Sequence, residues 1–205
     1  MLFRNSGLAL CLSLLVLGTT FSSLAGPYED GEAAFQRKDY AAAMRLWQPL
    51  AEAGNARAQS RIATLYYGGF GVALSYEFAL AWCEKAADQG DANAQYMLAS
   101  MYRDGKGAER DGRKALSFFL KAADQGVPGA QYSLGLMHFM GEATPINYAE
   151  AYYWLGLAAT ANGADQRQLR ATAAFAQDQV APKLSAEQIA DAKRRIDERK
   201  VAQQR

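Results

Sequence analysis

The sequence predicts an all-α protein, a solenoid of stacked helix pairs closed by capping helices at its C-terminal end. Three observations carry this prediction. The chain repeats itself at a 36-residue period, most openly where Lys85–Gly90 and Lys121–Gly126 both spell KAADQG. Within each copy, apolar and small residues recur at helical spacing on two separate stretches. Glycines return at the same places between and after those stretches, where the chain must turn.

Taken in order, residues 1–25 stand apart from the repeats. Arg4 supplies a positive charge, Leu8–Leu17 is an apolar run broken by Ser13, and Ser23-Leu24-Ala25 places small residues where a signal peptidase reads. The expectation is a cleaved secretory signal with a mature start near Gly26. The protein would then be periplasmic or secreted, touching membrane through the signal segment before cleavage. The apolar run is shorter than the ~20 residues a membrane-spanning helix needs. Cys11 lies inside that run behind Leu10, where lipid attachment wants a small residue. Losing Arg4 with the signal leaves 21 basic and 21 acidic side chains, a balance with no electrostatic footprint for nucleic acid. Cys83 is then the one cysteine left, so no intramolecular disulfide is expected.

The solenoid is expected over 26–163. Tyr28–Arg37 and Tyr40–Ala53 read as a leading helix pair, 28–54, with a degenerate first helix. Units 55–90, 91–126 and 127–163 follow. Ala58-Gln59 returns as Ala94-Gln95 and Ala130-Gln131; Ile62, Leu98 and Leu134 share a column; Tyr66 and Tyr102 share one with His138. These positions fall on one arc of a first helix. In the second helix, positions 79, 82, 83 and 86 follow the spacing of a buried stripe, so Trp82 and Trp154 are expected to be buried between helices. Gly69, Gly105 and Gly141 break the chain within each unit, and Gly54, Gly90 and Gly126 end it. KAADQG is therefore the last buried turn of a second helix plus its left-handed stop, a corner rather than a catalytic box.

Residues 164–205 are expected to cap the stack. Asp165–Ala181 reads as a helix stopped by Pro182, and Ser185-Ala186-Glu187-Gln188 as a capping box opening a final helix with Ile189, Ala192 and Ile196 on one side. Its Lys193-Arg194-Arg195 and Arg199-Lys200 read as a solvated cap, the alternative being an anchor to an anionic surface.

The pattern Ala-x-Ala-Gln-x-x-Leu-Ala/Gly-x-x-Tyr-x-x-Gly-x-Gly, followed by Ala-x-x-Trp and Lys-Ala-Ala-x-x-Gly, resembles the Sel-one-like repeat, a relative of the tetratricopeptide repeat. The resemblance covers about residues 28–163 and implies an α/α superhelix that serves as an adaptor or scaffold for a protein or peptide partner. A cysteine-rich branch of the family was described as β-lactamase-like, with a disulfide in each repeat; this chain departs from it, having Cys83 alone beyond Cys11.

No constellation rises to catalytic, and none calls for a cofactor or metal. Cys83 shares its column with Trp47, Phe119 and Leu155, which reads as a buried, inert thiol. His138 stands in an aromatic packing column, and one histidine is poor material for a zinc site. Ser133 lies inside a helix, without the strand-to-helix turn of a nucleophile elbow. The weaker functional alternative is a cell-wall-active or β-lactamase-like hydrolase using carboxylates such as Glu142 and Glu150.

The favoured reading is an exported interaction scaffold, in an envelope assembly, holding its partner in a groove. Opposite the packing arc of the first helices, positions 60, 64 and 67 are expected to be free. Across the three units that face reads Ser60, Thr64, Tyr67; Tyr96, Ser100, Arg103; and Tyr132, Leu136, Phe139. The resemblance implies that first helices line the concave surface. Tyr67, Tyr96, Ser100, Arg103, Tyr132, Leu136 and Phe139 are accordingly the candidate partner-binding residues.

Overall fold

The computed structural model describes residues 26–203, and among these the chain is all-α. Four helix pairs follow one another: α1 (Pro27–Gln36) with α2 (Tyr40–Glu52), α3 (Ala56–Gly68) with α4 (Tyr76–Asp88), α5 (Ala92–Asp104) with α6 (Gly112–Asp124), and α7 (Pro128–Met140) with α8 (Tyr148–Ala158). Then come α9 (Arg167–Val180) and α10 (Ala186–Gln203), which both pack on α8. Each helix up to α9 packs mainly on its neighbours in sequence, the arrangement of a solenoid. The sequence-predicted signal segment, 1–25, lies outside the described residues.

Local chemistry sets each helix end. Asp39, Asn55, Ser75, Asp91, Asp111 and Asn147 each accept a hydrogen bond from a backbone N–H in the first turn of the helix that follows. Where Val127 offers no cap, Pro128 opens α7 with its φ already fixed. The first helices stop at Gly69, Gly105 and Gly141, with φ of 65°, 69° and 74°. In the first unit the turn between helices is shorter, 37–39 against 69–75, so α1 sits four residues out of register with the later copies.

The core forms where a small residue on a first helix meets a larger one on the second. Trp47, Cys83, Phe119 and Leu155 are all fully buried. A Cβ on Gly31 would fall 2.2 Å from Trp47 Nε1, and one on Gly135 would fall 2.7 Å from Leu155 Cγ. Trp47 Nε1 also donates to the Tyr28 carbonyl at 3.1 Å, which ties the short α1 to α2.

The lysine, both alanines, the glutamine and the glycine of KAADQG each have a structural duty. The two alanines are buried, and Gly90 and Gly126 adopt φ of 88° and 86°. Lys85 covers the Trp82 ring with Nζ 4.4 Å from its centroid; Lys121 covers Phe118 at 5.0 Å. Gln89 and Gln125 each donate to the side-chain oxygen of Gln59 and Gln95 at 2.8 Å. Those buried glutamines donate in turn to Ala51 and Ala87 carbonyls of the preceding unit, at 3.0 and 3.3 Å, and Gln131 does the same to Ala123 at 3.3 Å. A ladder of glutamines thus staples each repeat to the one before it. The exposure of Trp82 differs from expectation: Trp154 is buried, but Trp82 is half-buried, with Lys85 lying over its ring.

At the C-terminal end, α9 packs on α8 and also touches α7, where the first helix of a further unit would sit. Ser185 and Gln188 form the capping box reciprocally, at 3.2 and 2.9 Å. Helix α10 lies against α8, with Ala192 and Ile196 buried. Arg195 pairs with Glu150 at 2.8 Å, and Arg199 donates to the Asp124 carbonyl at 2.7 Å. The Arg199 guanidinium also stands 5.3 Å from the Trp154 ring, filling the place of the lysines over Trp82 and Phe118.

Candidate partner-binding face

The first helices α3, α5, α7 and α9 share one face, and two depressions lie on it. The first, of about 530 Å³, is lined by Arg61 and Tyr67 of α3 and by Asn93, Tyr96, Met97, Ser100, Arg103 and Asp104 of α5. The second, of about 320 Å³, lies between α7 and α9. Tyr132, Leu136 and Phe139 meet Thr172, Phe175, Ala176 and Gln179 there, with Leu155 of α8 beneath. Four of the sequence-predicted residues, Tyr67, Tyr96, Ser100 and Arg103, therefore line one depression and the other three line the next. The two differ in chemistry: the first carries guanidinium, amide and hydroxyl groups, the second almost nothing but carbon.

Neighbours hold the polar groups of the first depression in place. Arg61 forms a two-point ion pair with Glu32 of α1, its Nη2 donating to Oε2 at 2.8 Å, and its Nε reaches the Tyr28 hydroxyl at 3.4 Å. Burial works against the Arg61 charge, yet the bonds to Tyr28 and Glu32 hold its pKa above the ordinary arginine value. Arg103 Nε donates to Asp104 Oδ1 at 2.8 Å, and this bond chiefly raises its pKa. Lys106 Nζ donates to the Tyr67 hydroxyl at 2.9 Å, which raises the Lys106 pKa.

The placement departs from the helical-wheel expectation in two ways. Ser60 was expected on the free face but is buried, because α3 is flanked on both sides and keeps a narrower open strip than a lone helix would. Tyr96 is only half-buried but not free either. Its ring stands 5.9 Å from Phe119, and a Cβ on Gly129 would fall 2.8 Å from Tyr96 Cζ, so it also spans the joint to α7. Sequence reasoning passed over Arg61, Asn93, Met97 and Phe175. Arg61 and Met97 share a column with Ser133 whose chemistry changes from copy to copy, and that variation was the available signal. Phe175 had none, since α9 does not follow the 36-residue register.

The other candidates have local partners. Glu142 pairs with Arg110 at 2.9 Å and Glu150 with Arg195 at 2.8 Å. Burial pushes the Cys83 thiol up to about 12, far from a reactive thiolate. Burial likewise pushes His138 below the usual histidine range, with Glu150 opposing, and among the described residues its buried Nδ1 has no hydrogen-bond partner. Ser133 is buried within α7. Among the described residues no three His, Cys, Asp or Glu side chains come together as a metal site, and no helix is long and apolar enough to cross a membrane.

A family model described as Sel1 repeat matches residues 23–55, 56–91, 92–127 and 128–163. Among solved structures, the chain is similar to a Sel1 repeat protein from Oxalobacter formigenes, with 34% identity and a TM-score of 0.63 over 66% of this chain and 54% of that one. It is also similar to a protective antigen present in uropathogenic Escherichia coli strains that displays an SLR fold, with 25% identity and a TM-score of 0.54 over 82% of this chain and 43% of that one. The chain thus spans about half the length of these two relatives. No curated protein matches it significantly.

Proposed function

The chain belongs to the Sel1 repeat family, whose members generally serve as protein-interaction scaffolds, and from that premise we propose that it is an exported scaffold holding a segment of a partner protein across the first-helix face. One observation carries this reading: side chains that vary from copy to copy gather on α3, α5, α7 and α9 around two depressions. Arg61, Tyr67, Tyr96, Arg103, Tyr132, Phe139 and Phe175 lie on that strip, and aromatic and arginine side chains are the usual anchors of protein interfaces. Export rests on Arg4, the run Leu8–Leu17 and Ser23-Leu24-Ala25, and an envelope assembly is the setting that export implies.

The test is site-specific photocrosslinking in cells. A crosslinker at Tyr132 or Phe139 should capture the same partner, while one at the exposed Leu120 of α6 should not. Equal capture from all three positions, or from Leu120 alone, overturns the assignment of the face. Export is read separately, by N-terminal sequencing of the envelope fraction, where a start near Gly26 is expected. A retained Met1 overturns it.

A further inference from the structure

We propose that the segment bound on this face carries a carboxylate side chain that pairs with Arg103 and, about five residues away in extended chain, a bulky apolar side chain that enters the pocket between α7 and α9. This rests on the reading of the first-helix face as the partner site and names the chemistry of its occupant.

Arg103 is prepared for an acceptor. Asp104 holds its Nε at 2.8 Å, and its guanidinium carbon stands 5.4 Å from the centroid of the Phe119 ring. Both terminal amino groups are left without an acceptor among the described residues, and the side chain keeps 33% of its surface exposed. A fixed guanidinium with two terminal groups open matches a carboxylate at two points. Of the two lining cations, Arg61 is already taken by Glu32 of α1, which leaves Arg103 with the open groups, and Asp104 is the one carboxylate among the lining residues. Lys106 adds a cation beside the depression, its Nζ on the Tyr67 hydroxyl at 2.9 Å. An acidic side chain is what this charge set complements.

The second depression supplies the other half. Phe175 is 66% exposed beside a pocket whose remaining lining is mostly carbon, with three polar tips, Tyr132, Thr172 and Gln179. An aromatic or long aliphatic side chain would cover it. Arg103 and Phe139 are equivalent positions on adjacent first helices, 36 residues apart. Helices pack roughly 10 Å apart, so the pocket just beyond Phe139 lies on the order of 15 Å from Arg103. Extended chain rises about 3.3 Å per residue, which gives the spacing of about five.

The experiment is a selection from a display library of random short peptides against the folded protein, the Arg103→Gln variant and the Phe175→Ser variant, each checked for an unchanged thermal unfolding transition. The wild type should enrich sequences with Asp or Glu about five positions from an aromatic or long aliphatic residue. Arg103→Gln should lose the acid and keep the apolar residue; Phe175→Ser should do the reverse. Binding of the wild-type consensus should weaken with added salt, and replacing its acid by the amide should weaken it at least about tenfold, the loss expected for a charge-assisted pair. A wild-type consensus without an acid, an acid that survives Arg103→Gln, or no consensus at all overturns the proposal. If an acid-free consensus still crosslinks to Phe139, the partner face stands while its acidic occupant does not; if the consensus crosslinks elsewhere, both fall.

Discussion

The Cβ of Ala143 lies so close over Gly112 that a Cβ added there would come within 3.0 Å of it. Ala143 holds φ at 59°, in the left-handed region where the two earlier copies use Gly71 and Gly107, at 68° and 76°. Those glycines lie against Tyr40 and Tyr76, and a Cβ on Gly107 would fall 2.4 Å from the Tyr76 carbonyl oxygen. The third copy exchanges the partners. The loop gains a methyl group, and the N-terminus of α6 gives up its side chain to receive it.

The left-handed conformation costs a non-glycine residue about 1–2 kcal/mol, partly offset by the greater freedom glycine has in the unfolded chain. Ala143→Gly should therefore stabilise the protein by up to about 1 kcal/mol, read by urea denaturation. Gly112→Ala should be more favourable in the Ala143→Gly background than alone, because the close contact is gone. Equal effects in both backgrounds would show that the two positions are not coupled.

The glutamine ladder gives a sharper stability prediction. Gln95→Leu removes one hydrogen bond from the Ala87 carbonyl and one from the Gln125 side chain at the joint between repeats. The Gly90 N–H still donates to that carbonyl at 2.9 Å, and Gln125 still donates to the Gly90 carbonyl at 3.0 Å. Losing a hydrogen bond from groups that keep another partner costs about 0.5–1.5 kcal/mol each. Chemical denaturation of Gln95→Leu should show a loss in that range, while the exposed Gln48→Leu should show almost none. A neutral Gln95→Leu would mean the ladder is ornament.

The repeats and their two helices were legible because a fixed period forces packing residues into columns. Ala58, Ala94 and Ala130, for example, all end fully buried. The capping box at Ser185 was legible because its partners lie three residues apart. The ladder was not, although its glutamine column is plain in the sequence. Gln59 and Gln89 meet only when a chain 30 residues long has been folded back. Trp82 was misjudged for a related reason: periodicity assigns it to the buried stripe but says nothing of how much of the ring a neighbouring unit covers. Cavity walls made by α9 were invisible, since α9 keeps the solenoid's geometry without its spacing.

The tryptophans separate accordingly. Trp154→Ala removes a nearly fully buried ring and should cost about 3–5 kcal/mol. Trp82→Ala should cost clearly less, since its ring is already half open. Cys83→Ala removes little volume and should cost less than Trp154→Ala while leaving partner binding intact. In the folded protein the Cys83 thiol should resist alkylation at neutral pH and react only on unfolding. Rapid labelling of native protein would revive the thiol as a functional group.

His138 makes stability depend on pH. Its folded-state pKa lies below the ordinary value because burial disfavours the imidazolium, with Glu150 pulling weakly the other way. The unfolded chain therefore binds the proton more readily than the folded one below about pH 6.5. The contribution is fully present above that pH and is lost as pH falls toward the depressed folded value. His138→Phe keeps an aromatic ring in the Tyr66 and Tyr102 column and removes both the titration and the unpartnered Nδ1. Urea midpoints compared at mildly acidic and neutral pH should fall less on acidification in His138→Phe than in wild type. An identical fall in both would place the titrating group elsewhere.

Tyr96 decides how far partner binding and packing can be separated on the first-helix face. Its ring rests near Phe119 and fills the space over Gly129, so Tyr96→Ala opens a gap between α5 and α7. The loss should be about 1–3 kcal/mol, the range of a half-buried large-to-small change. A binding defect in that variant would be uninterpretable alone. Tyr96→Phe keeps the ring and removes only a hydroxyl that bonds to nothing among the described residues. The unfolding midpoint of Tyr96→Phe should match wild type. If the hydroxyl faces a bound segment, its partner affinity should drop by about 0.5–1.5 kcal/mol, the net value of one neutral hydrogen bond, measured by titration calorimetry. Arg103→Ala should behave similarly, with a small stability change and a larger, salt-sensitive binding loss. Should Tyr96→Phe and Arg103→Ala both bind the partner as wild type does, the depression between α3 and α5 is a joint between repeats and not a binding surface.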